Sequence, residues 1–403
     1  MQGLLYPHMP LPVSQRVQRV KPSPTLAATA RAAALRAEGH DIISLTAGEP
    51  DFDTPVEVAA AGMEAIRTGQ TRYTDVGGTP ALKDAIRDKF LRDNELRYER
   101  RQILVSCGAK QTLFNLCLAV LDLGDEALIP APYWVSYPDM VRLADAQPVF
   151  LGTGPEQGYK ISAAQLEAAI TPRSRLLLIN SPSNPTGAAY TRREWQALGE
   201  VLRAHPRIVI GTDDMYETIW WASESFSTLA QVVPDLYART VTINGVSKSH
   251  AMTGWRIGYC GGPAEIIAAM ATIQGQSTSN PSSISQHAAV AALRADPAIV
   301  REMCAQYRQR HDYLVPALDA LPGVSCLRAS GAFYAFADIR GAMQRRGDAS
   351  DTAFCDALLD EVGIAVVPGS AFGAPGHMRL SFATRLDLLQ DAVGRLRRFL
   401  GAA

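Results

Sequence analysis

Short apolar runs recur along the middle of this chain, and they restrict its fold more than any other feature. Residues 103–107, 127–129, 176–180, 208–212, 240–244 and 257–260 are strand-sized and apolar on both faces. Strands of that kind belong in a sheet covered on both sides, the setting of mostly parallel sheets. The segments between them supply the covering helices. Residues 111–121 follow the first run as a helical pattern that Gly124 closes. Thr54-Pro55-Val56-Glu57 reads as a capping box with proline at the first helical position. Ser162 with Gln165, and Thr191 with Glu194, repeat that capping logic. Near the end, Leu386, Leu389, Val393, Leu396 and Leu400 recur every three or four residues, the stripe of a helix lying on a core. Strands alternating with helices predict an α/β fold.

At 403 residues the chain is long for one core and predicts two domains. Residues 55–295 are expected to form the large one. Residues 1–54 form an N-terminal arm and part of a smaller domain, completed by 296–403. The formal net charge is −1, so no strong field is available to attract nucleic acid or an anionic membrane. A preference for charged substrates must be built locally. No apolar run is long enough to span a bilayer. The six cysteines never form CxxC and no HExxH occurs, which argues against a metal site or a disulfide framework and for the reducing cytoplasm. Gly152, Gly154 and Gly158 are spaced GxGxxxG without a clean strand-to-helix turn, and read as a loop, not a dinucleotide site. Trp220-Trp221 is a possible stacking platform, although aromatic pairs more often belong to a core or an interface.

Four segments carry chemistry, and each follows or flanks a strand. In Asn244-Gly-Val-Ser-Lys248-Ser-His-Ala-Met-Thr-Gly-Trp-Arg256, a lysine sits in a loop of small residues with an arginine shortly after it. A lysine amine condenses with aldehydes, and an arginine holds phosphate by a forked contact. Ser106-Cys-Gly108-Ala109-Lys110 lies at a strand-to-helix turn, where helix-start N–H groups favour an anion and glycine lets backbone approach closely. Asn180-Ser-Pro-Ser-Asn184 follows a buried strand, at the carboxyl edge where open α/β sheets bind ligands. Thr212-Asp213-Asp214-Met215-Tyr216 ends another strand, and Asp213 could pair with a protonated ring nitrogen. Taken singly, each has a plain reading as a turn, a cap or a solvated charge.

Together these motifs, in this order, resemble the class I aminotransferases of fold type I, nearest to the bacterial aspartate aminotransferase branch. The similarity extends from Lys21-Pro22-Ser23 and Thr46-Ala-Gly-Glu-Pro-Asp-Phe-Asp-Thr-Pro55 to Arg379-Leu-Ser-Phe-Ala-Thr384. It implies a large domain with a mostly parallel seven-stranded sheet covered by helices, plus a smaller α/β domain. It implies pyridoxal 5'-phosphate as cofactor and ping-pong transamination between an L-amino acid and a 2-oxo acid. Lys248 would carry the cofactor and shuttle the substrate proton, and Asp213 would bind the pyridine nitrogen. Asn184 and Tyr216 would bind the ring hydroxyl oxygen, and Trp134 would stack on the ring. Gly108, Ala109, Lys110 and Arg256 would lie at the phosphate. Tyr73 would reach the phosphate of a neighbouring subunit, implying a homodimer with shared active sites. Arg379, helped by the Gly48 backbone, would clamp the substrate α-carboxylate. One position departs from the animal and enterobacterial branch, which has a serine three residues before the lysine; Gly245 stands here.

A dicarboxylate needs a second cation. Between Arg256 and Arg294 there is no lysine or arginine. In the resembling branch a lysine at the position of Lys110 goes with acidic substrates, and Arg16, Arg19 or Lys21 could help if the arm folds over the site. L-aspartate with 2-oxoglutarate is therefore expected. The alternatives are an aromatic, prephenate or apolar amino-acid aminotransferase, a C–S lyase, or an aminotransferase-like regulator. The last lacks support, because there is no basic recognition helix.

Overall fold

The computed structural model describes residues 12–401; the first part of the arm lies outside them. A seven-stranded sheet runs in the order Ile103–Ser106, Gly258–Gly261, Thr240–Gly245, Val209–Asp213, Ser174–Asn180, Glu126–Ala131, Gln147–Gly152. Gly258–Gly261 is antiparallel to both neighbours, and the other pairings are parallel. Successive residues of one strand show why the runs are apolar throughout. Leu176 and Leu178 pack with Leu113, Leu116 and Ile243 on one face. Leu177 and Ile179 pack with Trp195, Leu198 and Leu202 on the other. Each buried leucine contributes roughly 1.5–3 kcal/mol relative to exposure, so the doubly covered sheet is the main store of stability.

Register then aligns the strand ends. Asn180 lies beside Asp213, and Asp213 beside Ile243, two residues before Gly245 ends the next strand. The motif residues therefore emerge along one edge of the sheet.

The strand Gln147–Gly152 has no counterpart in the sequence reading. It is an edge strand that buries only Leu151, so it lacks the apolar signal, and Pro148 is tolerated there because an edge leaves one side unpaired. The helix Val56–Arg67 forms as expected, but Thr54 does not cap it. Its hydroxyl donates to the Ala251 carbonyl (2.8 Å) and accepts from Trp255 Nε1 (3.0 Å), tying the arm to the lysine loop. The helix Ala109–Val120 ends with Leu121 already extended, and Gly124 belongs to the turn beyond it. The boxes at Ser162 and Thr191 both form.

A second, antiparallel sheet orders Val367–Pro368, His377–Ser381, Tyr334–Asp338 and Ser325–Cys326. Ile43–Ser44 pairs with Ile364–Ala365, so the arm joins this second body. The helix Leu386–Phe399 buries Leu389, Val393 and Leu396 against it, with Leu386 and Leu400 half-buried at the ends of the stripe. The long helix Pro297–Asp319 runs from the seven-stranded body into the second core through Leu314, Val315 and Leu318. Among the described residues no helix is long and apolar enough to cross a membrane.

Behind the sheet edge, Lys89 on the helix Pro80–Asn94 pairs with Glu217, both almost fully buried. Asn94 completes the triad, accepting from Lys89 Nζ (2.7 Å) and donating to Glu217 Oε2 (2.9 Å). Removing one partner strands a charge in a dry place. Lys89→Met is expected to lower unfolding free energy by about 3–5 kcal/mol, read from urea denaturation.

Candidate active site

The strand ends and the second sheet enclose a cavity of about 400 Å³. Lys248, Asp213, Asn184, Tyr216, Trp134, Arg256, Arg379, Gly48, Ala109 and Lys110 all line it. Gly108 borders it beneath Arg256. Tyr73 does not: its side chain stands 93% exposed, away from this chain's own cavity. Asp214 turns the other way, fully buried, where burial and Glu217 push its carboxyl far above the usual range.

Asp213 sits at the last position of its strand. Burial pushes its carboxyl up to about 6, against a donated hydrogen bond from the Tyr137 hydroxyl (2.6 Å), the Met215 N–H and the Lys248 charge. Lys248 lies on the short turn that begins where Thr240–Gly245 ends, and its ammonium donates to the Gly48 carbonyl. Burial lowers its pKa to about 8, with Arg256 and Arg379 pushing the same way and Glu49 and Asp213 opposing. An amine tuned to that value is partly free near neutral pH, as a proton carrier must be.

Arg379, in the middle of His377–Ser381, is 2% exposed. It donates to Asn184 Oδ1 (2.9 Å) and the Thr46 carbonyl (2.7 Å), and lies over the Tyr334 ring at 4.6 Å. Its Nε has no partner, and among the described residues no carboxylate pairs with it. A buried cation without an anion asks for one. Because Arg379 uses the Asn184 oxygen, the Asn184 amide N–H groups are left to face the cavity. Asn180 sets that orientation by accepting from the Asn184 backbone N–H (2.7 Å). Tyr216 shares a hydrogen bond with Tyr334 (2.9 Å), and burial keeps it a neutral phenol.

At the opposite end the helix Ala109–Val120 begins. Gly108 holds φ +87°, and a β-carbon there would collide with the Arg256 guanidinium. At Gly258 a β-carbon would overlap the Ala109 backbone. Backbone, arginine and helix start are thus brought closer than other residues allow, and the first N–H groups of the helix have no partner within it. Gly245 is less tightly confined: a β-carbon would stand 3.0 Å from the Ile257 carbonyl oxygen, so a serine would press lightly on the neighbouring strand.

Two expectations about the arm change. Arg16 and Arg19 are both held by Asp145, so they are not free for a substrate. Lys21 lines an adjoining cavity of about 580 Å³ that shares Ser23, Lys110, Val135, Ser136 and Arg256 with the site. Lys110 itself rises at the rim with its ammonium 5.0 Å over the Trp134 ring. The residues missed were Tyr137, Tyr334, Thr46 and Asn180, each of which holds a named residue in place. Asn180 and Thr46 lay inside quoted motifs. Tyr334, in an ordinary apolar strand, carried no signal.

A helix start with a glycine and an arginine suits a phosphate, a buried carboxylate suits a pyridinium, and a depressed lysine suits an aldehyde. The donor set fits pyridoxal phosphate, and fold and site define a fold type I enzyme dependent on it. Residues 40–396 match the family model for aminotransferase class I and II, and the chain belongs to that family. It is 56% identical to the aspartate/prephenate aminotransferase of Nitrosomonas europaea over 96% of this chain and 99% of that one. Aspartate aminotransferase from Rhizobium meliloti superposes with a TM-score of 0.93 at 46% identity, covering 97% and 99% of the two chains. The Thermus thermophilus enzyme with maleate gives 0.91 at 42%, covering 96% and 99%.

The Tyr137 hydrogen bond favours the charged form of Asp213, and a bond to a charged group is worth about 1.5–3 kcal/mol. Tyr137→Phe should therefore raise the Asp213 pKa. The acid limb of the kcat–pH profile is expected to move up by about one unit or more, with activity retained on the alkaline side.

Proposed function

We propose that the enzyme transfers the amino group of L-aspartate to 2-oxoglutarate, yielding oxaloacetate and L-glutamate by a ping-pong cycle. One observation carries the assignment of roles: Lys248, Asp213 and the unpaired Arg379 line a single cavity. In this reading Lys248 Nζ would hold the cofactor, and its free amine would stand beside the substrate α-carbon. When bound, pyridoxal phosphate supplies the electron sink that makes that α-proton removable. Lys248 Nζ takes the proton as a base and returns it as an acid, which its lowered pKa favours. Asp213 keeps the ring nitrogen positive, and Asn184 and Tyr216 hold the ring oxygen. Gly108, Ala109 and Arg256 receive the phosphate, and Trp134 covers the ring face. Arg379 holds the α-carboxylate, fixing the α-carbon near Lys248.

Lys110 takes the distal carboxylate, with Lys21 the next cation along the rim. A second reading, prephenate as amino acceptor, is favoured by the adjoining cavity lined by Phe114, Met140 and Leu143, which leaves room for a ring beyond Lys110. The reading includes a homodimer in which Tyr73 serves the neighbouring site. Val56, Met63 and Ile66, exposed on the helix before it, support an interface there. It also includes separate domains at 55–295 and 296–403, and a cytoplasmic setting in keeping with the free cysteines.

Borohydride reduction of the yellow protein followed by peptide mapping is expected to place the pyridoxyl label on Lys248; a label elsewhere rejects the site. Single amino acids mixed with the loaded enzyme should convert its absorbance to the pyridoxamine form, aspartate and glutamate most readily. Lys110→Ala is expected to lower kcat/KM for aspartate at least about tenfold, the loss of roughly 1.4 kcal/mol of charge-assisted binding. An apolar amino acid should be little affected, and equal losses would reject the Lys110 role.

A further inference from the structure

A second cavity, of about 440 Å³, lies on the far side of the Lys248 loop and shares no residue with the first. One wall is a single stripe of the helix Pro297–Asp319, from Pro297 through Arg301 and Cys304 to Arg308. The facing wall includes Asn244, Tyr259, Trp220 and Trp221.

Three features point to what it takes. The first is charge. Of the acids that line it, Glu217 is consumed by Lys89, and Asp93 by Arg92 at 2.7 Å. Arg301 and Arg308 are exposed and only loosely paired, with Asp296 at 3.9 Å and Asp312 at 3.7 Å. Neither of those carboxylates lines the cavity, so on its wall the cations outnumber the acids. The second is a hydrogen-bond donor. Asn244 is 3% exposed and lines the cavity, its oxygen accepts from the Gly245 N–H (2.7 Å), and its Nδ2 has no partner. A buried amide left unpaired is uncommon unless something else supplies the acceptor. The third is the aromatic pair. Trp220 and Trp221 satisfy their indole N–H groups on the Glu224 and Ala329 carbonyls, at 2.7 and 2.9 Å. Their half-buried rings thus meet the cavity as apolar surface, alongside Leu293 and Val300.

We propose that this cavity is a second ligand site, built for an aromatic carboxylate: the carboxylate at Arg301 and Arg308, the ring against the tryptophans, an acceptor atom at Asn244 Nδ2. The volume falls within the range of small-molecule sites. The site stands independently of the substrate assigned to the first cavity.

The test uses calorimetric titration of 1-naphthylacetate into the PLP-loaded enzyme with saturating maleate present to occupy Arg379. One equivalent per chain is expected to bind. Arg301→Ala/Arg308→Ala, on the exposed side of the helix, should weaken binding at least about tenfold by removing both charge-assisted contacts while leaving kcat/KM for transamination unchanged. Ala305→Trp, which adds bulk to the cavity wall, should abolish it without touching either arginine. A crystal of the complex should show the ring beside Trp220 or Trp221. No heat under maleate, unchanged affinity in both variants, or density only beside Arg379 would overturn the proposal.

Discussion

Everything at this site depends on two opposite charges being dried out in the same place. Lys248 and Asp213 lie in one cavity, and burial moves each toward its neutral form, the amine to about 8 and the acid to about 6. In water the Lys248 amine would be fully protonated at neutral pH and not poised to exchange a proton. Their mutual attraction and the hydrogen bond from Tyr137 oppose the desolvation and keep it from silencing them. The protein therefore works between two limits. Too much water would return both groups to ordinary behaviour, and too little support would leave Asp213 protonated and unable to hold a positive ring.

The seven-stranded sheet makes that balance possible. Its strands are covered on both faces, so their backbone positions are fixed by packing well before any side chain at their ends is specified. Register places Asn180, Asp213 and the turn carrying Lys248 side by side. The crossing arginine comes from elsewhere. Arg379 reaches in from the second sheet and bonds to Asn184 of the first body and Thr46 of the arm. The substrate's carboxylate would thus be read at the junction of both bodies, and the same contact that recognises it holds them together.

Much of this was legible beforehand, for identifiable reasons. The doubly apolar runs marked the buried strands because every residue in them faces a core. The edge strand Gln147–Gly152 escaped because only Leu151 does. Lys248, Asp213 and Asn184 stood out because each ends or closely follows a buried strand, and their roles came from the family resemblance of those motifs. The residues that hold them did not, since a supporting hydrogen bond joins positions far apart in the chain: Tyr137 to Asp213, Tyr334 to Tyr216, Thr46 to Arg379. Thr54 shows the converse. Its local pattern suggested a cap, but tertiary partners at Ala251 and Trp255 compete for the same hydroxyl.

The distribution of cations carries the last step. In a chain of net charge −1, most arginines described here end on a carboxylate. Arg16 and Arg19 are of that kind, which removes them from substrate binding even though the arm lies near the site. Arg379 is not, and a cation buried without a carboxylate is costly until an anion joins it. Beside the site Arg16 and Arg19 are neutralised by Asp145, while inside it Arg379 has no carboxylate partner, so an incoming carboxylate would meet its charge there and not at the arm.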